Sequence, residues 1–487
     1  MPRSSVRPLW LLPAALLGGY AALALLPMAL GAAQGLTPRP WRDDLATGLG
    51  MSGFAMLLME FLLSGRFKGL SARMGMDRVM QFHQIMAYVL VAFLLLHPFL
   101  YTLPMGAPAP LDRDAHTWLS LPLLPGLSGL LAWIALGLLV FMAIARDGLP
   151  MRYETWRLSH GIGAVVIALF GLHHTLEAGR YSQDGLLAGF WILAALVAIA
   201  SLVHVHLIIP LRQRRHPYRV TAVRPEAERT WTIELEPDRK SGHPGTPLPF
   251  RAGQFAWLKL ERPLFRMTEH PFSISSAPAD WPRVAFTIKE AGDFTGRIAE
   301  VPPGTPAYLD GPYGHFTLEP EDGRALVFVA GGVGMAPIMA LLRQLQHDGA
   351  DRPITVIQGN RTAGQILYAD ELDAMAGTLP LTVHHVLAEP PDGWTGHRGV
   401  PDRALLETVL PAERRTGAVY YLCGPPAMTD ALEETLLSDF GVPASQVIAE
   451  RFRYTLGGRR SSARRLVYGV LGTAAVILVG IMWFAGA

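Results

Sequence analysis

Cysteine is nearly absent: one residue, Cys423, stands in 487. That excludes an intramolecular disulfide and any cysteine-ligated zinc or iron–sulfur centre, so metal chemistry must rest on the sixteen histidines and on carboxylates. Charge is scarce as well, with Asp, Glu, Lys and Arg making up 17% of the chain, against about 25% in an ordinary soluble protein. Neither sign prevails: the formal net charge is +2, so no nucleic-acid partner is expected. The sequence has no EF-hand loop, so direct control by calcium is not expected, and it has no internal repeat.

What the chain has in excess is apolar length. Hydrophobic residues make up 50% of it and the mean hydropathy is +0.26, concentrated in residues 9–209 and at the C-terminal end. A bilayer span needs about 20 mainly apolar residues. Six runs qualify: Leu9–Ala33, Leu45–Leu63, Val79–Leu103, Leu119–Ala145, Leu158–Leu176 and Leu186–Pro210. They predict six transmembrane helices. The first run is long, lacks a small-residue cleavage site and is followed by further spans, so it reads as a span and not as a signal peptide.

Basic residues near span ends mark cytoplasmic loops. Arg66, Lys68, Arg73 and Arg78 lie between spans two and three, and Arg146, Arg152 and Arg157 between four and five. Arg212, Arg214, Arg215 and Arg219 follow span six. The expected topology puts these loops, the N-terminus and the soluble part in the cytoplasm of a cell whose plasma (inner) membrane holds the chain. The run Leu466–Ala487, after Arg459, Arg460, Arg464 and Arg465, predicts a seventh span.

Beyond Tyr218 the apolar runs shorten and alternate, as in Gln254–Leu260 and Val284–Lys289, which predicts a small antiparallel β-barrel. From Ala325 strands alternate with helices: Leu326–Ala330, a helix through Leu341, Thr355–Gln358, then a helix near Asp370. That order predicts an open parallel α/β sheet. The fold class is therefore multi-domain: an all-α transmembrane bundle at 1–213, a β-barrel at 214–320, an α/β nucleotide-binding domain at 321–455 and a C-terminal transmembrane helix at 466–487.

Two spans carry histidines at both ends. His83 and His97 lie on the third, His160 and the doublet His173-His174 on the fifth. Intramembrane ionisable residues are costly and usually functional. His83 and His97 are fourteen residues apart, about 21 Å along a helix and within about 40° of one face. The spacing suits two stacked metal sites, and one neutral imidazole from each of two helices suits a six-coordinate haem b. On a straight helix His174, fourteen residues from His160, shares its face, whereas His173 is turned about 140° away.

In the soluble part, His270-Pro271-Phe272-Ser273-Ile274-Ser275-Ser276 and Ile288-Lys289-Glu290-Ala291-Gly292-Asp293-Phe294-Thr295 offer an aromatic platform, hydroxyls, a cation and backbone amides. Those are the pieces that hold a flavin and its pyrophosphate. Gly331-Gly332-Val333-Gly334-Met335-Ala336-Pro337, between a strand and a helix, suits a dinucleotide phosphate. Arg361, with Tyr368, suits an adenosine 2′-phosphate, although a solvated surface arginine is the plainer reading. Cys423-Gly424 ends a later strand near the expected nicotinamide, and Phe452 offers a ring for a flavin face or for the core.

HPFSISS, IKEAGDFT, DGPYG, GGVGMAP and CGPP, in this order, resemble the ferredoxin–NADP reductase type of flavin module. Fused to six spans with paired histidines, they resemble the ferric reductase and NADPH oxidase superfamily over roughly residues 40–455. By that resemblance, His270, Pro271, Phe272 and Ser273 contact FAD, and Lys289, Gly292 and Thr295 its phosphate side. Gly331, Gly332, Gly334, Met335, Pro337, Cys423 and Gly424 would hold the dinucleotide, and Phe452 would face the isoalloxazine. The resemblance also places His173 before His174 as the partner of His97, with His83 and His160 forming the other haem site. The chain departs from the family in continuing for thirty-five residues past Phe452.

The expected activity is that of a flavohaem oxidoreductase. Electrons pass from NADPH, or alternatively NADH, through FAD and two haem b to an outer acceptor. Dioxygen, giving superoxide, is the first choice, because the outer loops are short and lack a metal-chelating cluster; Arg42, Arg113 and His116 could polarise a small oxidant. A ferric or cupric reductase is the alternative. So is an electron-supplying subunit that meets a partner protein through its C-terminal helix, or a quinone.

Overall fold

The computed structural model describes residues 11–37, 39–63, 67, 76–102, 123–261, 267–318, 324–450 and 462–486. They fall into two compact units, one within Met1–Arg66, Val79–Leu207 and Arg465–Ala487, the other within Phe67–Arg78 and Ile208–Arg464.

The first unit is helical. Its helices α1 (Leu11–Ala32), α2 (Trp41–Leu63), α3 (Met76–Thr102), α4 (Leu123–Ile144), α5 (Tyr153–Ala178) and α6 (Gly185–Val203) follow the six apolar runs to within a few residues. Among the described residues six helices are long and apolar enough to cross a membrane, which makes this a multi-pass membrane protein. Helix α2 is the most enclosed, with 72% of its apolar window buried against 11% for α4 and α5. On α4 the exposed residues Leu127, Leu131, Ile134, Leu138 and Phe141 recur every three or four positions, one apolar stripe of the kind that faces lipid. Asp184 caps α6 by accepting the amides of Leu186 and Leu187 at 2.9 and 3.2 Å.

Helices α4 and α5 form an antiparallel hairpin. Near their short connection Trp156 Nε1 donates to the Met142 carbonyl at 3.3 Å, and at the far end Ser128 Oγ lies 2.9 Å from His173 Nδ1. The C-terminal helix Ser462–Gly486 belongs to the same unit. Its apolar part, Leu471–Gly486, is shorter than the six spans. Ile477 and Ile481 are fully buried and Phe484 meets Tyr181 edge-on at 5.5 Å, so one face of the helix is part of the bundle core.

The second unit holds two sheets. Strands β1 (Tyr218–Ala227), β2 (Thr230–Pro237), β3 (Phe255–Leu260), β4 (His270–Ser273), β5 (Val284–Lys289) and β6 (Pro306–Tyr313) form an antiparallel sheet in the order β4-β3-β6-β1-β2-β5. Its core is built on Ile233, Leu235, Leu258, Ile274 and Phe286, all fully buried. Strands β7 (Leu326–Gly331), β8 (Ile354–Asn360), β9 (Leu381–Leu387), β10 (His397–Arg398), β11 (Val419–Cys423) and β12 (Val447–Glu450) form a parallel sheet in the order β10-β9-β8-β7-β11-β12. Strand β7 is apolar and buried along its length, as a strand covered on both faces must be.

The parallel sheet fixes where a ligand belongs. Sequence order runs one way from β7 through β8 to β9 and the other way through β11 to β12, and ligands of open α/β sheets bind at the strands' carboxyl ends at such a reversal. The register aligns those ends: Ala330 pairs with Cys423 and Gln358, and Gly331 with Gly359. The glycine turn after β7, Asn360-Arg361 after β8 and Gly424 after β11 thus share one edge.

Candidate functional site

In the membrane unit, histidines of α3 and α5 face each other at two levels, in ring contact at one and within electrostatic range at the other. At one end the rings of His97 and His174 are 6.5 Å apart, inclined at 62°. At the other end His160 interacts electrostatically with His83. The doublet divides its work: His174 turns to His97, while Nδ1 of His173 faces Ser128 Oγ. The geometry therefore favours His174, the alternative, over His173 as the ring beside His97, and the fourteen-residue spacing keeps His160 and His174 on one face of a regular helix.

The donor set suits a haem iron. With metal–imidazole bonds of about 2.0–2.1 Å, two rings on opposite sides of one ion have centres roughly 6 Å apart, close to the 6.5 Å between His97 and His174. Nδ1 of His174 donates to the Pro125 carbonyl at 2.9 Å and Nδ1 of His83 donates to Glu60 Oε2 at 2.6 Å, which leaves Nε2 of each ring for a metal. Among the described residues, buried Nδ1 atoms of His97 and His160 have no hydrogen-bond partner. Room for the rings is built in: a Cβ on Gly129 would stand 2.5 Å from His174 Nδ1, and one on Gly50 3.2 Å from His97 Nδ1. Trp156 stacks on His160 at 5.3 Å, and the Arg146 guanidinium lies 4.6 Å above Trp156.

In the second unit, His270 stacks on Phe294 at 4.3 Å and Phe272 lies parallel to Phe294 at 6.0 Å, forming one aromatic platform. Ser273 is buried where β4 meets β3, Pro271 pairs with Trp257, and Lys289 is exposed at the end of β5. Thr295 Oγ1 accepts the amides of Ala291 and Gly292 at 2.7 and 3.0 Å, so this hydroxyl shapes the loop.

At the parallel sheet, Gly332 has φ +53° and open space around it, whereas a Cβ on Gly334 would lie 2.1 Å from the Cys423 carbonyl oxygen. One glycine exposes backbone and the other lets the β7 and β11 ends touch. Gly331 and Gly424 pack beside Met428 in the same contact. The side chains of Met335 and Pro337 are buried, so what this stretch can offer a dinucleotide is its backbone. Cys423 is fully buried, and burial, with Glu450 beside it, pushes its thiol well above the usual range. Arg361 is exposed and bonds Glu389 at 2.8 Å. Tyr368 does not join it: the phenol is buried, hydrogen-bonded to Thr287 and pushed up to about 12 by burial. Arg42 lies 3.4 Å from Asp43, and Phe452, Arg113 and His116 lie outside the described residues.

Comparison with known proteins agrees with this division. Residues 49–171 match the family described as ferric reductase like transmembrane component, 232–317 an FAD-binding domain, and 328–434 an oxidoreductase NAD-binding domain. The chain is 32% identical over 287 residues to the reductase component of propane 2-monooxygenase from Rhodococcus jostii, covering 57% of this chain and 69% of that one. The chain belongs to the ferric reductase and NADPH oxidase superfamily. Ferredoxin–NADP reductase B of Sorangium cellulosum is 31% identical over 243 residues, covering 48% of this chain and 96% of that one. A solved ferredoxin reductase of carbazole 1,9a-dioxygenase aligns over 49% of this chain and 69% of its own, with a TM-score of 0.43 and 25% identity. As a member of this superfamily the chain is a membrane oxidoreductase of the flavin reductase type, with FAD- and NAD-binding domains.

Several residues of the site were missed from sequence. Glu60 is the single charged residue between Leu45 and Leu63, and an intramembrane carboxylate is itself a signal. Phe294 lay inside a quoted motif. Gly50, Gly129 and Ser128 gave no signal, because small residues are common at any helix contact.

Proposed function

We propose that this protein carries electrons across the plasma (inner) membrane, from NADPH at a cytoplasmic soluble unit to an acceptor outside. Two haem b would be held by His83 with His160 and by His97 with His174. The observation that carries the reading is the pairing of α3 and α5 histidines at both ends of one bundle, with His97 and His174 at ligand-sharing distance. FAD supplies the conversion of a two-electron hydride donor into single electrons, and haem the one-electron steps that follow.

The protein's own contribution is placement. His270, Phe272 and Phe294 offer a ring platform, and the loop tied by Thr295 presents Lys289 and Gly292 nearby. The backbone at Gly332 and the N-terminus of Met335–His347 favour a dinucleotide phosphate. Gly334 keeps the Cys423 end of β11 close beneath it, and the Cys423 side chain is buried there. In the bundle, α2 and α4 hold the imidazoles through Glu60 and Pro125.

Dioxygen, reduced to superoxide, is the proposed acceptor. The test is anaerobic addition of NADPH to the purified protein with FAD, following the haem bands, then admission of air or a ferric chelate. Haem reduction with fast reoxidation in air and superoxide formation supports the oxidase. Fast reoxidation by ferric chelate alone makes the protein a metal reductase, and no haem reduction refutes the relay. A second reading, electron supply to a partner protein, is favoured by the similarity to a reductase component. Its expected mark is that neither small oxidant turns over rapidly.

A further inference from the structure

The two histidine pairs are held differently. At one end Nδ1 of His83 donates to the carboxylate of Glu60 at 2.6 Å. At the other end Nδ1 of His174 donates to a peptide carbonyl, that of Pro125, at 2.9 Å. Glu60 is buried on α2, and its second oxygen accepts the hydroxyl of Tyr20, itself buried on α1, at 2.7 Å. Three helices therefore contribute to a Tyr20–Glu60–His83 chain in an apolar bundle, where a carboxylate costs several kcal/mol unless its oxygens are engaged.

We propose that Glu60 is a positioning residue that sets the two haem sites apart in reduction potential, with the His83 site the lower. This rests on the haem assignment above. A carboxylate acceptor draws the Nδ1 proton more strongly than a peptide carbonyl does, so the His83 ring becomes the more basic ligand and favours the oxidised iron. One electron enters or leaves the site, and the Nδ1 proton stays in its hydrogen bond. Tyr20 moderates the effect, since its hydroxyl withdraws charge from the carboxylate. The chain thereby gains a built-in direction: an electron arriving at the His83 site is passed downhill to the His97/His174 site.

The test is a spectroelectrochemical titration of the purified full chain, preceded by a haem count by pyridine haemochrome. Glu60→Gln keeps the shape and offers a neutral carbonyl, the kind of acceptor His174 already has. It is expected to raise the potential of one haem by a tenfold change in its redox equilibrium, about 59 mV for one electron, and to leave the other in place. Tyr20→Phe is expected to move the same haem by a smaller amount in the opposite direction, an outcome that loosened packing alone would not give. Should Glu60→Gln lose the haem, Tyr20→Phe decides by the sign of its shift. Unmoved potentials, or equal shifts at both sites, overturn the inference while leaving the haem assignment standing. Wild-type protein without haem overturns both.

Discussion

On the proposed function both units hold a redox cofactor, and they do so with opposite economies. In the membrane unit each engaged ring answers to one partner: His174 to Pro125, His173 to Ser128, His83 to Glu60. Lipid offers no substitute donor or acceptor, so each partner is specific and its loss has no remedy. In the soluble unit the work is shared. Arg343 on the helix Met335–His347 bonds both oxygens of Glu371 at 2.7 Å and the carbonyl of Ser275, while Tyr368 bonds Thr287 across from the parallel sheet to β5. Losing one of these contacts leaves the others in place. Single changes should be all-or-none for haem content in the bundle and graded for stability in the soluble unit.

The largest effect is expected at the histidine doublet. His174→Ala should lower bound haem from two per chain to one, and His173→Ala should leave two, measured as pyridine haemochrome. Gly129→Leu should mimic His174→Ala, since a side chain there would occupy the place of the ring. Equal loss from both doublet variants would break the contrast between the two rings.

The next effect belongs to Arg343→Met, which removes charge-assisted hydrogen bonds and leaves the Ser275 carbonyl without its donor. The expected cost is about 1.5–3 kcal/mol, read as a lower denaturation midpoint of the FAD-bound full chain with haem content unchanged. Haem loss in this variant would mean that the two units are less independent than their economies suggest.

A smaller effect is expected from pH. Burial lowers the pKa of His384 and of His385 from the ordinary 6.5. Below 6.5 the unfolded chain binds protons that the folded one refuses, so stability contributed by the neutral rings is present above that pH and lost as it falls. The slope is at most about 1.4 kcal/mol per pH unit for each ring. Thermal midpoints measured from about pH 7.5 to about pH 5.5 should decline, and His384→Gln with His385→Gln should flatten the decline.

The smallest effect concerns cofactor choice. Arg361 and Glu389 form an exposed pair worth at most about 1 kcal/mol. Glu389→Gln should free the guanidinium and lower the KM for NADPH a few-fold, Arg361→Ala should raise it, and neither should move the KM for NADH. Equal changes with both dinucleotides would remove Arg361 from the 2′-phosphate.

Legibility followed the same division. The six runs became six helices because a bilayer span is a matter of length and hydropathy, both local properties of the sequence. Strand Val284–Lys289 was read to the residue, since alternation and flanking turns bound it. That the side chains of Met335 and Pro337 are buried was not legible: a motif names consecutive residues, and only packing decides how much of a helix is covered. Tyr368 was misplaced for a related reason, because proximity to Arg361 in sequence does not say which side of the sheet a phenol enters.

By itself, the sequence determined the division into membrane and soluble parts, the order of the three folds, the fourteen-residue histidine spacing and the glycine turn after β7. Each depends on composition or on the period of one helix or strand. Only the tertiary structure decided which of His173 and His174 faces His97, that Glu60 and Tyr20 stand behind His83, and that Gly334 serves the contact with Cys423. Those depend on which helix or strand lies alongside, and neighbours distant in sequence are brought together only by packing.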